Sequence, residues 1–153
     1  MVCTLNADLY DLERYVRAQQ PVFAQVCAEL AAGRKESHWM WFIFPQLRGL
    51  GSSSMAERYA IGSLEEARAY LAHPLLGERL RRCTELVNGI ESRSAEEIFG
   101  YPDYLKFRSS MTLFARATGG GREPFGAALA RYFAGEDDPR TRQLLETTPR
   151  NHT

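Results

Sequence analysis

Three stretches of this sequence carry side chains that could do chemistry at usable spacings. The first is Arg48-Gly49-Leu50-Gly51-Ser52-Ser53-Ser54. Glycines at 49 and 51 let the backbone bend, so that successive N–H groups can point the same way. The run then enters a helix start, where free N–H groups and the helix dipole favour an anion. Arg48 and the hydroxyls of Ser52, Ser53 and Ser54 would add donors for a phosphate or a carboxylate. The stretch is neither G-x-x-x-x-G-K-[ST] nor G-x-G-x-x-G, and it does not follow a strand. The plainer reading is a flexible connection with Ser54 as a helix cap.

The second stretch is Ser37-His38-Trp39-Met40-Trp41. A histidine beside two indoles suits an aromatic cleft that stacks a planar ring, with His38 as acid or base. Trp39 and Trp41 would supply stacking area and N–H donors. The competing reading is a dense apolar run that fills the interior, with the histidine making a structural hydrogen bond. The third is Lys106-Phe107-Arg108-Ser109-Ser110-Met111, which on a helix sets Lys106 over Ser109 and Ser110. A lysine beside a serine can ease its deprotonation. The order is K-x-x-S and not S-x-x-K, which favours a solvated lysine and serines that let helices approach. As an anion-binding partner of the Gly/Ser loop, Lys106 would still be useful.

Smaller features read as structure. Glu136, Asp137 and Asp138 cluster at a helix start, where they match the dipole and cap. His73 precedes Pro74 and reads as a neighbour of a helix cap. Without H-x-x-x-H, G-x-S-x-G or a cysteine- and histidine-rich spacing, neither a metal site nor a cofactor motif is expected. The cysteines Cys3, Cys27 and Cys83 are odd in number and far apart, which argues against a disulfide framework. Cys27 and Cys83 read as small core residues.

The elements that must position these residues are helical throughout. Leu12, Tyr15 and Val16 form one face of a segment from Asp11, and Pro21 starts a second that ends at Gly33. Ser37 is expected to cap a buried helix over 38–44 that Pro45 closes, although periodicity alone also admits a buried strand. A loop over 46–53 and a short helix from Ser54 follow. Ser63 with Glu66, and Ser94 with Glu97, have the spacing of capping boxes. Helices are expected over 75–87, from Asp103 to about Ala117, from Pro124 to the stop Gly135, and from Pro139 to about Leu145. Thr118-Gly119-Gly120-Gly121 reads as a loop, and the tail from Glu146 to Thr153 as frayed. The expected fold is a compact all-α domain of about seven to nine short helices.

Composition bounds the rest. The chain has 153 residues, with 19 Lys+Arg against 19 Asp+Glu and a formal net charge of zero. One domain, with its core over about residues 9–145, is the expectation at this length. Balanced charge disfavours a diffuse nucleic-acid binder, and no apolar run is long enough to span a membrane. The N-terminus shows no basic and apolar leader, so a cytoplasmic location is expected. The oligomeric state is left open. What the charge balance does not exclude is a focused positive pocket for a small anionic ligand.

The run Ser37-His38-Trp39-Met40-Trp41-Phe42-Ile43-Phe44-Pro45-Gln46-Leu47 carries a specific likeness. It continues in Gly49-Leu50-Gly51, in His73-Pro74-x-Leu76-Gly77 and in Lys106-x-x-Ser109-Ser110-Met111-x-Leu113-Phe114. Together these resemble domain-of-unknown-function family eighteen-ten over about Leu9 to Leu145. The resemblance implies one all-α multihelical domain and a helical residue 37–45 segment, with no activity attached. Members are sometimes labelled calpastatin, a largely disordered protein that this globular composition does not match. The order aromatic helix, Leu76-Gly77-x-Arg79, Lys/Met/Phe helix and Tyr132-Phe133-x-Gly135 is similar to the all-α hydrolases linked to ADP-ribose metabolism. That likeness implies cleavage of an N-glycosidic bond. Here Glu36-Ser37-His38 stands where those hydrolases have Glu-His, and their C-terminal Trp-Gly is missing, so no catalytic residue is carried over. Two functions follow as expectations: binding of a nucleotide or sugar-phosphate-like anion, with N-glycosidic hydrolysis as its enzymatic form, or docking of a protein on an exposed Trp39, Trp41 or Phe44.

Overall fold

The computed structural model describes residues 8–119 and 123–147. Among them run ten α-helices: α1 Glu13–Gln19, α2 Phe23–Ala31, α3 Met40–Ile43, α4 Ser54–Arg58, α5 Leu64–Ala72, α6 Leu76–Asn88, α7 Ala95–Phe99, α8 Asp103–Ala117, α9 Phe125–Phe133 and α10 Pro139–Thr147. The all-α class is as expected, and the count of ten among the described residues is slightly higher than seven to nine. Glu146 and Thr147 belong to α10 and not to a frayed tail. Residues 148–153 and the glycines at 120 and 121 lie outside the described residues. No described helix is long and apolar enough to cross a membrane.

The core is organised around α8, whose residues from Ser109 to Ala115 are buried without a break. A helix buried all round must be covered on several sides, and α5, α7, α9 and α10 all pack against it. Helices α5 and α9 also contact α6, which in turn carries α2. At the α5–α6 corner the helices come unusually close. A Cβ on Gly77 would stand 2.1 Å from the Leu71 carbonyl oxygen, so only glycine fits. His73 makes the corner: its Nδ1 accepts from the N–H groups of Leu75 and Leu76, capping the start of α6.

The aromatic run after Ser37 is helical for a single turn only. Trp39 and Phe44 flank α3 with non-helical φ values of −142° and −123°. The residue before a proline is pushed out of the α region, and Pro45 therefore ends the helix at Ile43. So short a helix leaves carbonyls unpaired in the interior. Gln19, itself buried, answers one of them by donating to the Phe42 oxygen at 2.7 Å. Phe44 lies edge-on to Phe107 at 5.0 Å between ring centres, and Phe107 stacks on Phe99 at 4.6 Å.

Beyond α3 the chain makes its one described β contact, a parallel bridge between Leu47 and Ile61. Ile61 donates to Gln46, and Arg48 to Ile61, at 2.9 and 2.8 Å. The bridge closes the base of the loop that carries the glycines, the serines and α4. Arg14 stitches this base to α1 and α5, donating to the carbonyls of Arg58 and Ala60 and pairing with Glu66 at 3.3 Å.

Several caps differ from their sequence expectation. Ser53, not Ser54, caps α4, accepting from the Ala56 N–H. Ser94 and Glu97 make the full reciprocal box. Ser63 accepts from the Glu66 N–H, but Glu66 takes the Gly62 N–H and turns its other oxygen to Arg14. Ser37 caps no helix, because it belongs to the network described next.

Candidate functional site

Helix α2 ends at Gly33, whose φ of +86° suits glycine, and the Arg34 N–H returns to the Glu29 carbonyl. That turn folds residues 34–37 back over the Glu29 side chain. Glu29 Oε1 accepts from the backbone N–H of Glu36 at 2.8 Å, of Ser37 at 3.0 Å, and from Trp39 Nε1 at 2.9 Å. Its Oε2 accepts from the Ser37 hydroxyl at 2.6 Å and from Gln25 at 3.0 Å. Burial alone would raise the Glu29 carboxyl; the Ser37 hydroxyl, the two backbone donors and the indole outweigh it and hold it down at about 2. Glu29 is therefore an anionic hub that fixes Ser37 and Trp39.

On the other side of Trp39 the charges reverse. Lys35 Nζ lies 5.1 Å from the Trp39 ring centre, donates to the Ser37 carbonyl at 2.6 Å and pairs with Asp103 at 3.0 Å. Asp103 also faces Lys106 at 3.5 Å, and Lys106 Nζ lies 5.7 Å from the Trp41 ring centre. Both lysine–indole distances fall within the reach of a cation–π contact. One carboxylate thus serves two ammonium groups, leaving one positive charge in excess on the triad. The Lys35 side chain is 8% exposed and that of Lys106 29%, so Lys106 is the end that meets solvent. Trp41 beside it is half-buried, and His38 is exposed.

Of the residues singled out by sequence, Ser37, Trp39, Trp41 and Lys106 are brought together. Ser110, one turn along from Lys106, is fully buried with a hydroxyl that has no hydrogen-bond partner among the described residues. The Gly/Ser loop is engaged elsewhere. Gly49 gives its carbonyl to Arg140 and packs under Leu144 of α10. Arg48 Nη1 lies 2.8 Å from where a Gly62 Cβ would stand, beside Glu66. Gly51, Ser52, Ser53 and Ser54 are exposed, and the Ser53 hydroxyl is committed to its cap. Asp138 caps α10 through the Thr141 N–H, while Asp137 pairs with Arg116 and Glu136 with Arg108. No group of three or more His, Cys, Asp or Glu able to hold a metal occurs among the described residues.

Three participants have no local signature. Lys35 and Asp103 meet only through the fold, Lys35 being tied to α7 through the Ile98 carbonyl. Asp103 reads from sequence as a cap, yet the helix has no side-chain cap and its carboxylate serves the lysines. Glu29 is the single carboxylate of a mostly apolar helix, and that was the available signal.

Among curated proteins none matches this chain. The crystal structure of the conserved hypothetical protein Rv1873 from Mycobacterium tuberculosis is 62% identical, covering 90% of this chain and 98% of that one with a TM-score of 0.88. A family model described as "Protein of unknown function (DUF1810)" matches residues 9–145. The chain belongs to that family.

Proposed function

We propose that the protein binds a compact anionic ligand, nucleotide-like or sugar-phosphate-like, where Trp41 and Lys106 meet. The observation that carries the reading is the triad: two ammonium groups share Asp103, and the less buried one stands beside a half-buried indole. A planar ring would stack on Trp41, and the anionic part would take the charge that Asp103 leaves uncompensated. Glu29 pairs with neither lysine, its oxygens being turned to five neutral donors. The Gly/Ser loop takes no part in this reading; its Arg48 N–H is held by Ile61 and its Gly49 carbonyl by Arg140. Docking of a partner on the aromatic run is disfavoured, because Trp39 and Phe44 are core residues.

A thermal-shift series with inorganic phosphate, pyrophosphate, AMP and ADP-ribose tests the binding. At least one of them should raise Tm at millimolar concentration. Lys106→Ala should weaken its affinity about tenfold, the cost of one charge-assisted contact. An absence of shift with all four, or an unchanged shift in Lys106→Ala, overturns the reading. Incubation with NAD⁺ and with ADP-ribosylated substrates, followed by product analysis, separates a hydrolase of N-glycosidic bonds from a binder.

A further inference from the structure

Helix α8 carries three buried hydroxyl residues within one turn, Ser109, Ser110 and Thr112. A hydroxyl inside a helix can turn back to the carbonyl four residues earlier. Ser109 does so to Leu105 at 3.1 Å and Thr112 to Arg108 at 2.9 Å, as Thr84 of α6 does to Leu80 at 2.8 Å. Ser110 does not. Its side chain is 0% exposed, yet its hydroxyl has no partner among the described residues. A buried polar group left in that state destabilises the fold. If position 110 only had to be small, alanine would serve without the penalty.

Asp103, Lys106 and Ser110 follow one another at spacings of three and four, so they share one side of α8. Side chains on a helix lean towards its N-terminus, which carries the Ser110 side chain back over the turn that bears Lys106. Lys106 is the solvent-facing member of that pair and Ser110 the buried one. We infer that the Ser110 hydroxyl is the inner contact for the ligand's oxyanion, a phosphate or pyrophosphate group that Lys106 binds from outside; this rests on the site proposed above. The hydroxyl donates to one oxygen and the Lys106 ammonium to another. Lys106 is free to turn to the ligand because its pair with Asp103 is the longer, 3.5 Å against 3.0 Å for Lys35. Asp103 then keeps Lys35. The ring stacks on Trp41, so Ser110 reads the anionic end of the ligand and not its ring. The hydroxyl that destabilises the free protein is the one that the ligand satisfies.

The variant Ser110→Ala of the full chain separates this role from a structural one. In the ligand-free protein it should raise Tm by about 2–4 °C, because an unsatisfied buried group is removed. In calorimetric titrations its affinity for pyrophosphate and for ADP-ribose should fall about tenfold, and equally for both, since both present the same anionic group. A lower Tm in ligand-free Ser110→Ala would mean that the hydroxyl has a structural partner, which overturns the inference. A loss confined to ADP-ribose overturns it too, because Ser110 would then be reading the ring side. If Lys106→Ala weakens pyrophosphate binding and Ser110→Ala leaves it unchanged, the site stands and Ser110 has no part in it. If the parent protein binds neither ligand, the site itself fails and the inference with it.

Discussion

Replacing Glu29 with alanine lowers the stability of the fold by about 3–5 kcal/mol, the range for removing one partner of a buried charged network. Five donors lose their acceptor together, and the Trp39 indole N–H is left buried without one. Urea or guanidinium unfolding measures the loss. Glu29→Gln keeps the volume but sets an NH₂ group against N–H donors, so it should recover only part of the stability.

The same carboxylate sets an acid dependence with a definite sign. Its native pKa of about 2 lies below the ordinary 4.5. A depressed native value stabilises the folded state above the unfolded pKa. That contribution, on the order of 3 kcal/mol, is lost as pH falls from 4.5 towards 2. Stability measured across this window should fall less steeply in Glu29→Ala than in the parent. Equal slopes would mean that Glu29 is not the ionised acceptor described.

Gly77→Ala should cost more than about 3 kcal/mol, the upper end for forcing an extra methyl into a filled space. On helix propensity alone the sign would be opposite, since alanine is favoured over glycine in a helix by about 1 kcal/mol. The difference lies at Leu71, whose carbonyl oxygen and carbon would stand 2.1 and 2.9 Å from the new Cβ. Both are backbone atoms of α5, so no side-chain rotation relieves them. Relief requires α5 and α6 to separate, which disturbs the packing of α5 on α8 and of α6 on α9. A stabilised Gly77→Ala protein would show that the corner is looser than this geometry.

The parts of the fold that read well from sequence are those fixed by local chemistry. Gly33, Ser94 with Glu97, and the helix from Asp103 to Ala117 are set by local chemistry, and all stand as expected. The errors arise where a distant partner wins. Ser37 has the residue type of a helix cap, but Glu29 eight positions earlier takes both its N–H and its hydroxyl. Glu66 leaves its half of the box because Arg14, 52 positions away, holds its other oxygen. At the candidate site the sequence offers Trp41 and Lys106 as separate features, 65 positions apart by their numbering. Their meeting depends on Lys35 and Asp103, whose identities carry no local hint of it. In the Gly/Ser loop, tertiary contacts with Ile61 and Arg140 take the Arg48 N–H and the Gly49 carbonyl, while Gly51 to Ser54 stay exposed.

The two tryptophans allow a direct measurement of ligand binding, because the chain has only two indole N–H groups. The Trp39 N–H is committed to Glu29 in the core, while Trp41 stands half-buried beside Lys106. In a nitrogen-15 NMR titration with ADP-ribose, and with pyrophosphate as the ring-free control, the Trp41 indole signal should move saturably. The Trp39 signal should stay in place, and Lys106→Ala should weaken the Trp41 response about tenfold. A Trp41 signal that stays fixed at millimolar concentrations of both ligands would contradict binding at this site.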